Sequence, residues 1–138
     1  MMRVVRMMWI CLVVLMPGCA GTTSVLLVPG PKTPLAEGRV DAVRDEAGNI
    51  QLTIEVKRLS EPGAIVPGAT AWMVWVQGLK ATDKPIAVGV LRLDQDGSGL
   101  LQTMTRLNPF GLFITAEPSG AEEQPHGEAV LSTQVRVR

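Results

Sequence analysis

The sequence contains few of the residues from which most catalytic and metal sites are built. Its 138 residues include one histidine, two cysteines, two phenylalanines and no tyrosine. One histidine and so little cysteine cannot supply the ligands of a zinc site of the usual kind. The sequence also lacks a glycine-rich phosphate loop and any pair of carboxylates at a distinctive spacing. We therefore expect a protein that is not an enzyme and that needs no cofactor.

An excess of charge of one sign is also missing, because 13 basic and 13 acidic residues balance. Arg3 and Arg6 precede the cleavage point predicted below, and without them 11 basic and 13 acidic residues remain. A protein that binds nucleic acid needs a concentrated basic surface. The composition therefore predicts no nucleic-acid partner, and nothing in it indicates a small-molecule substrate.

The longest apolar run lies at the N-terminus. Met7–Met16 follows two arginines and has about half of the roughly 20 residues that a membrane-spanning helix needs. A charged start followed by a short apolar run is typical of a secretory signal peptide. Cys11 would be removed with this run, so the mature chain would keep one thiol and no intramolecular disulfide is expected.

The predicted signal peptide ends in Pro17-Gly18-Cys19. A glycine before a cysteine at this place resembles the lipobox of bacterial lipoproteins, in which the cysteine is lipidated and becomes the first mature residue. Met16 and Pro17 depart from that pattern, which usually has a leucine and a small residue there. We predict a signal peptide over residues 1–18 and lipidation of Cys19. The alternative is ordinary cleavage nearby, which would leave Cys19 as a thiol.

We predict that residues 19–38 comprise the lipidated cysteine and a tether. Prolines at positions 29, 31 and 34 forbid a helix and favour extended backbone. The apolar patch Val25–Val28 could form a first edge strand docked on the domain. The rest of the segment is most simply a spacer that lifts the domain off the membrane.

From residue 39 onward the sequence predicts an all-β domain. Ile50–Val56 alternates apolar and polar side chains, which is typical of a strand with one buried face. The other predicted strands are Val40–Arg44, Ala71–Val76, Ile86–Leu93, Leu100–Leu107, Phe110–Ala116 and Ala129–Val137. The turn-rich clusters Asp45–Asn49 and Asp94–Gly99 predict hairpins. About seven short strands predict one immunoglobulin-like antiparallel β-sandwich over residues 39–138.

The acidic cluster of the second hairpin also resembles the start of a calcium loop. Asp94, Asp96 and Ser98 alternate before a glycine, as oxygen ligands do in such loops. The closing ligand would be Thr105 instead of a bidentate glutamate, and no helix is predicted on either side. A hairpin turn needs the same aspartates and glycines for backbone reasons. We therefore predict a turn, with Asp94, Asp96 and Ser98 as weak metal candidates.

The single histidine, His126, lies in a loop beside Glu128. A histidine next to a carboxylate could act as a general base, but catalysis also needs a nucleophile and an orienting group that converge on it. The neighbouring proline and glycine favour an exposed, solvated imidazole. We therefore predict no catalytic residue in this loop.

Trp72 and Trp75 lie on opposite faces of one predicted strand. At most one of them can point into the core of a sandwich. The other could be an exposed hot spot for a partner protein, or the protein itself could cover it, for instance with Ala64–Thr70. We predict that both are covered and keep them as weak candidates for an interaction site.

Several stretches together carry a resemblance to a known family. Val88–Val90 leads into the turn Asp94–Gly99, Phe113–Leu131 has the sequence FITAEPSGAEEQPHGEAVL, and Trp72–Val76 is an aromatic-rich apolar strand. These stretches resemble the C-terminal, extracytoplasmic domain of the anti-sigma-K factor family. That family also has a cytoplasmic region that binds the sigma factor and a transmembrane helix, and we find neither here. The resemblance therefore implies an outer sensory or interaction domain displayed alone on a lipid anchor.

These predictions combine into a non-catalytic, membrane-tethered lipoprotein that acts as a protein-interaction or sensory module. We expect it in the cell envelope, anchored to the membrane on the extracytoplasmic side, at the periplasmic face or the cell surface. Its expected partners are the membrane, through the lipid anchor, and an envelope protein. One alternative is a structural or stress-related envelope component without a discrete ligand. Another, less favoured, is a calcium-dependent or enzymatic module that uses Asp94, Asp96 or His126.

Overall fold

The computed structural model describes residues 21–138, so the predicted signal peptide and Cys19 lie outside the described residues. The elements are β1 (Thr23–Pro29), β2 (Glu37–Arg44), β3 (Ile50–Lys57), α1 (Pro62–Ile65), β4 (Ala71–Gln77), β5 (Ile86–Leu91), β6 (Gly99–Thr105), β7 (Phe110–Glu117) and β8 (Ala129–Val135). The sequence did not predict α1, which has four residues and a proline in its first turn. Within residues 21–138, no helix is long and apolar enough to cross a membrane.

The eight strands form one antiparallel sheet in the order β5-β4-β7-β8-β1-β2-β3-β6. The predicted all-β class is confirmed, with eight strands where the sequence predicted about seven. The sheet folds over into a sandwich-like arrangement. We call β1, β2, β3 and β6 the first half, and β4, β5, β7 and β8 the second half.

Strand β1 joins the two halves. Its residues Thr23–Leu27 pair with β2, and its last two residues pair with β8. The apolar patch that was expected to form an edge strand therefore lies inside the sheet. The following connection is also attached, because the buried Thr33 hydroxyl donates to the Val130 carbonyl at 2.9 Å. Within the stretch predicted as a tether, residues 23–29 and 37–38 thus belong to strands, and hydrogen bonds attach the connection between them to β8.

The core lies between the two halves and follows the side-chain alternation of the strands. The four apolar side chains of Ile50–Val56 all point inward, and none is more than 1% exposed. They face the core side of β4, which carries Trp72, Val74 and Val76. Burial of an aliphatic side chain of this size contributes about 1.5–3 kcal/mol to folding. In the absence of a disulfide within residues 21–138, this burial is the main stabilising term.

The two edge strands, β5 and β6, lie next to each other, because the folding of the sheet brings its two edges together. They are joined by the 92–98 turn and by one bridge between Leu93 and Gly99. The Thr103 hydroxyl also donates to the Val88 carbonyl at 2.8 Å. Each edge therefore shields part of the other, which limits pairing with a foreign strand.

Because all neighbouring strands are antiparallel, the connections divide between two ends of the domain. The first, which we call the loop end, carries the connections 30–36, 58–70, 92–98 and 118–128. The second, which we call the tether end, carries the start of β1, the connections 45–49, 78–85 and 106–109, and residues 136–138. Strands of seven or eight residues separate the ends by about 25 Å.

Candidate functional site

A cleft of about 580 Å³ opens at the loop end. Its walls come from three segments that lie far apart in the sequence, namely 32–36, 58–61 and 94–97. The first precedes β2, the second follows β3 and the third precedes β6. The register of these three neighbouring strands brings the segments together, so the fold itself builds the cleft.

Hydrogen bonds fix the walls of the cleft. The Leu59 backbone N–H donates to the Gly97 carbonyl at 3.1 Å, which holds the 94–98 turn against the end of β3. The indole N–H of Trp72 donates to the Ser60 carbonyl at 3.0 Å, which attaches the same wall to the core. Since both bonds start from buried residues, we expect the cleft to be formed before any partner binds.

The cleft combines an apolar floor with charges of both signs. Ala36 and Leu59 line it and are buried, while Leu35 at its rim is 75% exposed. The charged lining residues are Lys32, Arg58, Glu61, Asp94 and Asp96.

The two cations of the cleft are already paired, because Lys32 contacts Glu128 and Arg58 contacts Glu37. Within residues 21–138, the three lining carboxylates form no ion pair. The cleft therefore offers unpaired negative charge beside an exposed leucine. An apolar contact surrounded by charged groups suits a protein surface with an apolar side chain and basic neighbours.

The predicted calcium candidates form a hairpin turn at the edge of this cleft. The Asp94 N–H donates to the Ser98 carbonyl at 2.7 Å, and the Asp96 carboxylate accepts the Ser98 N–H at 3.1 Å. Thr105, the expected closing ligand, lies at the other end of β6, about 20 Å away along an extended strand. Its side chain is buried and accepts the Leu107 N–H. Thr105 therefore cannot close a loop around an ion held by Asp94.

The same limit applies to other metal sites. Among residues 21–138, no three or more histidine, cysteine, aspartate or glutamate side chains lie close enough together to hold a metal ion. His126 lies at the loop end, as Asp94 and Asp96 do, but on a different connection. It therefore does not complete a ligand set with them.

A buried carboxylate that sequence analysis missed fixes the 118–128 connection. Glu117, the last residue of β7, has a fully buried side chain. Its carboxylate accepts the His126 N–H at 2.5 Å and the Gly127 N–H at 3.1 Å. The His126 ring is 70% exposed, with Nδ1 3.4 Å from the same carboxylate. The imidazole is thus exposed, as the sequence predicted, and the neighbouring Glu128 contacts Lys32.

Glu117 anchors the loop and does not face a substrate, because its carboxylate is covered by the loop it binds. Strand alternation places Glu117 on the same face as Phe113 and Thr115, so its orientation was readable in the sequence. The burial of Glu117 could not be predicted, because the covering residues come nine and ten positions later. A local sequence pattern does not indicate such a contact.

A second carboxylate shapes the tip of the same connection. Glu122 accepts the Ser119 N–H at 2.7 Å, the Ser119 hydroxyl at 2.8 Å and the Gly120 N–H at 2.8 Å. Desolvation raises the pKa of Glu122, but these hydrogen bonds outweigh it and lower the pKa below its ordinary value. The charged form of Glu122 therefore holds the tip in shape.

Both tryptophans are covered by the protein. Trp72 lies in the core and is 1% exposed, whereas Trp75 lies on the opposite face of β4 and is fully buried. The Trp75 ring stacks on Phe113 with centroids 6.5 Å apart, and its N–H donates to the Thr115 hydroxyl at 2.9 Å. Neither tryptophan can therefore be the exposed hot spot that was considered for them.

The structure thus brings Asp94 and Asp96 to a cleft, places His126 at the same end of the domain, and removes Trp72 and Trp75 from the surface. Cys19, the predicted lipidation site, lies outside the described residues. Comparison with protein-family models finds no match to this chain, and comparison with curated proteins finds none either.

Proposed function

We propose that the protein is a non-catalytic, lipid-anchored component of the cell envelope that binds an envelope protein through the cleft at its loop end. The observation that carries this proposal is the position and chemistry of the cleft. It combines exposed Leu35 with the unpaired carboxylates of Glu61, Asp94 and Asp96. It also lies at the end of the domain opposite the start of β1.

An anchor at Cys19 would suit this arrangement. The chain joins the domain at Thr23, so the anchored membrane would lie beyond the tether end, and the cleft would face away from it. A partner in the periplasm or at the cell surface could then reach the cleft without contacting lipid. The resemblance to the outer domain of anti-sigma-K factors supports the same role, a sensory or interaction domain outside the membrane.

The chemistry of the cleft also limits the class of partner. Its free charges are acidic and its most exposed apolar side chain is Leu35, so we expect a protein segment with an apolar residue and flanking lysine or arginine. A structural or stress-related component without a discrete ligand has no observation of its own in its favour. It is kept as the opposite outcome of the experiment below.

Two measurements in intact cells test this proposal. Fatty-acid labelling should mark the wild-type protein and leave a Cys19→Ser variant unlabelled. Chemical crosslinking, affinity recovery and mass spectrometry should then recover one dominant envelope protein.

A matched pair of variants tests the role of the cleft. Leu35→Asp should lower the yield of the partner roughly tenfold, as expected for the loss of an interface hot spot. Leu100→Asp is the control, because Leu100 is 59% exposed and lies on β6 outside the cleft. Recovery of only abundant envelope proteins, in equal yield from wild type and both variants, would contradict the proposal and favour the structural alternative.

A further inference from the structure

The charged residues of the domain are unevenly divided between its two ends. The tether end has six basic side chains, all exposed: Arg44, Lys80, Lys84, Arg106, Arg136 and Arg138. It has three acidic ones, Asp45, Glu46 and Asp83. The net charge of this end is therefore positive. When the strand residues at that end are included, as Arg44 is at the tether end, the loop end has four basic and eight acidic residues, so its net charge is negative.

The basic side chains of the tether end are also not neutralised locally. Within residues 21–138, none of the six forms an ion pair with a carboxylate. Two of the acidic side chains bind backbone instead: Asp45 accepts the Ala47 and Asn49 N–H groups, and Asp83 accepts the Lys80 N–H. Six exposed cations at one end of a small domain are thus available to bind a negatively charged surface.

The short segment between Cys19 and β1 limits how far the tether end can lie from the membrane that holds the anchor. Four residue steps separate Cys19 from Thr23, the first residue of β1, and they span at most roughly 14 Å when fully extended. Electrostatic attraction decays over about 8–10 Å at physiological salt. An anchor at Cys19 therefore allows the tether end to lie within electrostatic range of the headgroups, whereas the loop end lies about 25 Å farther out.

Exposed apolar side chains at the tether end complement its charge. Leu79 is 47% exposed beside Lys80, and Ile86 is 53% exposed in the first position of β5. Basic side chains next to exposed apolar ones are typical of surfaces that rest in the headgroup region of a bilayer.

We propose that the tether end docks on the anionic phospholipids of the membrane that holds the anchor, so that the domain stands upright with its cleft outward. This inference rests on the proposed lipidation of Cys19 and adds an orientation to it. The lipid anchor would supply attachment, and the basic tether end would supply orientation.

Quenching by the membrane surface tests this orientation. The full-length processed protein, purified with its anchor, is reconstituted in phosphatidylcholine vesicles with or without phosphatidylglycerol, both containing a lipid with a nitroxide on its headgroup. A fluorophore is placed on Thr82→Cys at the tether end or on Gln124→Cys at the loop end, both exposed positions. Quenching should be strong at position 82 and weak at position 124, and it should increase with phosphatidylglycerol and decrease with added salt.

Charge variants of equal size supply the matched control. Lys80→Gln with Lys84→Gln should lower the ratio of docked to undocked domain roughly tenfold or more, since each basic residue near an anionic surface contributes appreciably to binding. Lys32→Gln with Arg92→Gln removes the same charge from the loop end and should leave the quenching unchanged. Equal quenching at both positions, or equal effects of the two charge variants, would overturn the proposed orientation.

Mass spectrometry of the N-terminal peptide separates this failure from failure of the proposed function. An acylated Cys19 together with equal quenching at both positions overturns the orientation alone. A peptide without acyl chains overturns the lipoprotein proposal and, with it, the orientation.

Discussion

Two hairpin turns of the same local geometry lie at opposite ends of the domain and have different roles. In both, the N–H of the first aspartate donates to the carbonyl four residues later, and a glycine with φ above +80° follows in the fourth position. At the tether end, the glycine of the turn Asp45–Asn49 packs against no other part of the domain. At the loop end, the turn Asp94–Ser98 packs on Leu59 and forms a wall of the cleft. Local sequence thus specifies the turn, and tertiary contacts decide what the turn does.

The largest difference between the two turns should come from their glycines. A Cβ at Gly97 would lie 2.7 Å from the Leu59 carbonyl oxygen, whereas a Cβ at Gly48 would meet nothing within 4 Å. Both positions have positive φ, which alone costs an alanine about 1 kcal/mol. We therefore expect Gly97→Ala to lower the free energy of unfolding by about 3 kcal/mol and Gly48→Ala by about 1 kcal/mol.

Urea denaturation of both glycine variants measures this difference. Crosslinking to the partner should also fall for Gly97→Ala, because the wall at Leu59 must move. Equal stability losses in the two variants would show that the 94–98 turn is as free as its counterpart.

The comparison extends to the carboxylates that hold the connections at each end. Glu117 is buried and accepts two backbone N–H groups, whereas Asp45 does so from a partly exposed position. Glu117→Gln should therefore lower the free energy of unfolding by about 2 kcal/mol, because the glutamine amide keeps only one acceptor oxygen where the carboxylate has two. Asp45→Asn should have a smaller effect, because water can replace its contacts.

Amide hydrogen exchange localises the effect of the Glu117→Gln substitution. Faster exchange should appear in residues 118–128, and a Glu123→Gln variant in the same connection serves as the control. An unchanged rate in that connection would contradict the anchoring role of Glu117.

These contrasts also mark how far the sequence could be interpreted alone. The alternation of Ile50–Val56 and the two turns predicted the all-β fold, because both signals are local. The position of β1 inside the sheet and the burial of Glu117 depend on partners many residues away. The cleft depends on three segments that lie far apart in the sequence. Sequence analysis therefore singled out only its residues Asp94 and Asp96, and it considered them as calcium ligands and not as part of a cleft.

A fall in pH should weaken the Asp45 turn. The hydrogen bond from Gln51, together with those from Asn49 and Ala47, lowers the pKa of Asp45 below its ordinary value of 3.8. A carboxylate with a lowered pKa in the folded state stabilises the protein above its unfolded pKa, and this stabilisation is lost as the pH falls through the folded pKa.

A pH series of unfolding measurements tests this response. The stability difference between wild type and Asp45→Asn should be constant near neutrality, begin to decrease as the pH approaches 3.8, and disappear below the still lower pKa of the folded state. A difference that persists at the lowest pH would contradict the role of the charged form.

The smallest expected effect concerns calcium at the Asp94 turn. Thr105 is too far away to complete a ligand set with Asp94 and Asp96. Millimolar calcium should therefore leave the melting temperature of wild type, and of an Asp94→Ala, Asp96→Ala variant, unchanged. A rise in wild type that the double variant lacks would restore the calcium hypothesis.

The central claim is that the loop end, and not the tether end, binds a partner protein. A photoreactive amino acid at Gln95 or at Ala47 places the same probe on the exposed tip of each turn in intact cells. Position 95 should crosslink to one dominant envelope protein, and position 47 should not. Crosslinks from both positions to the same abundant envelope proteins, in equal yield, would contradict it.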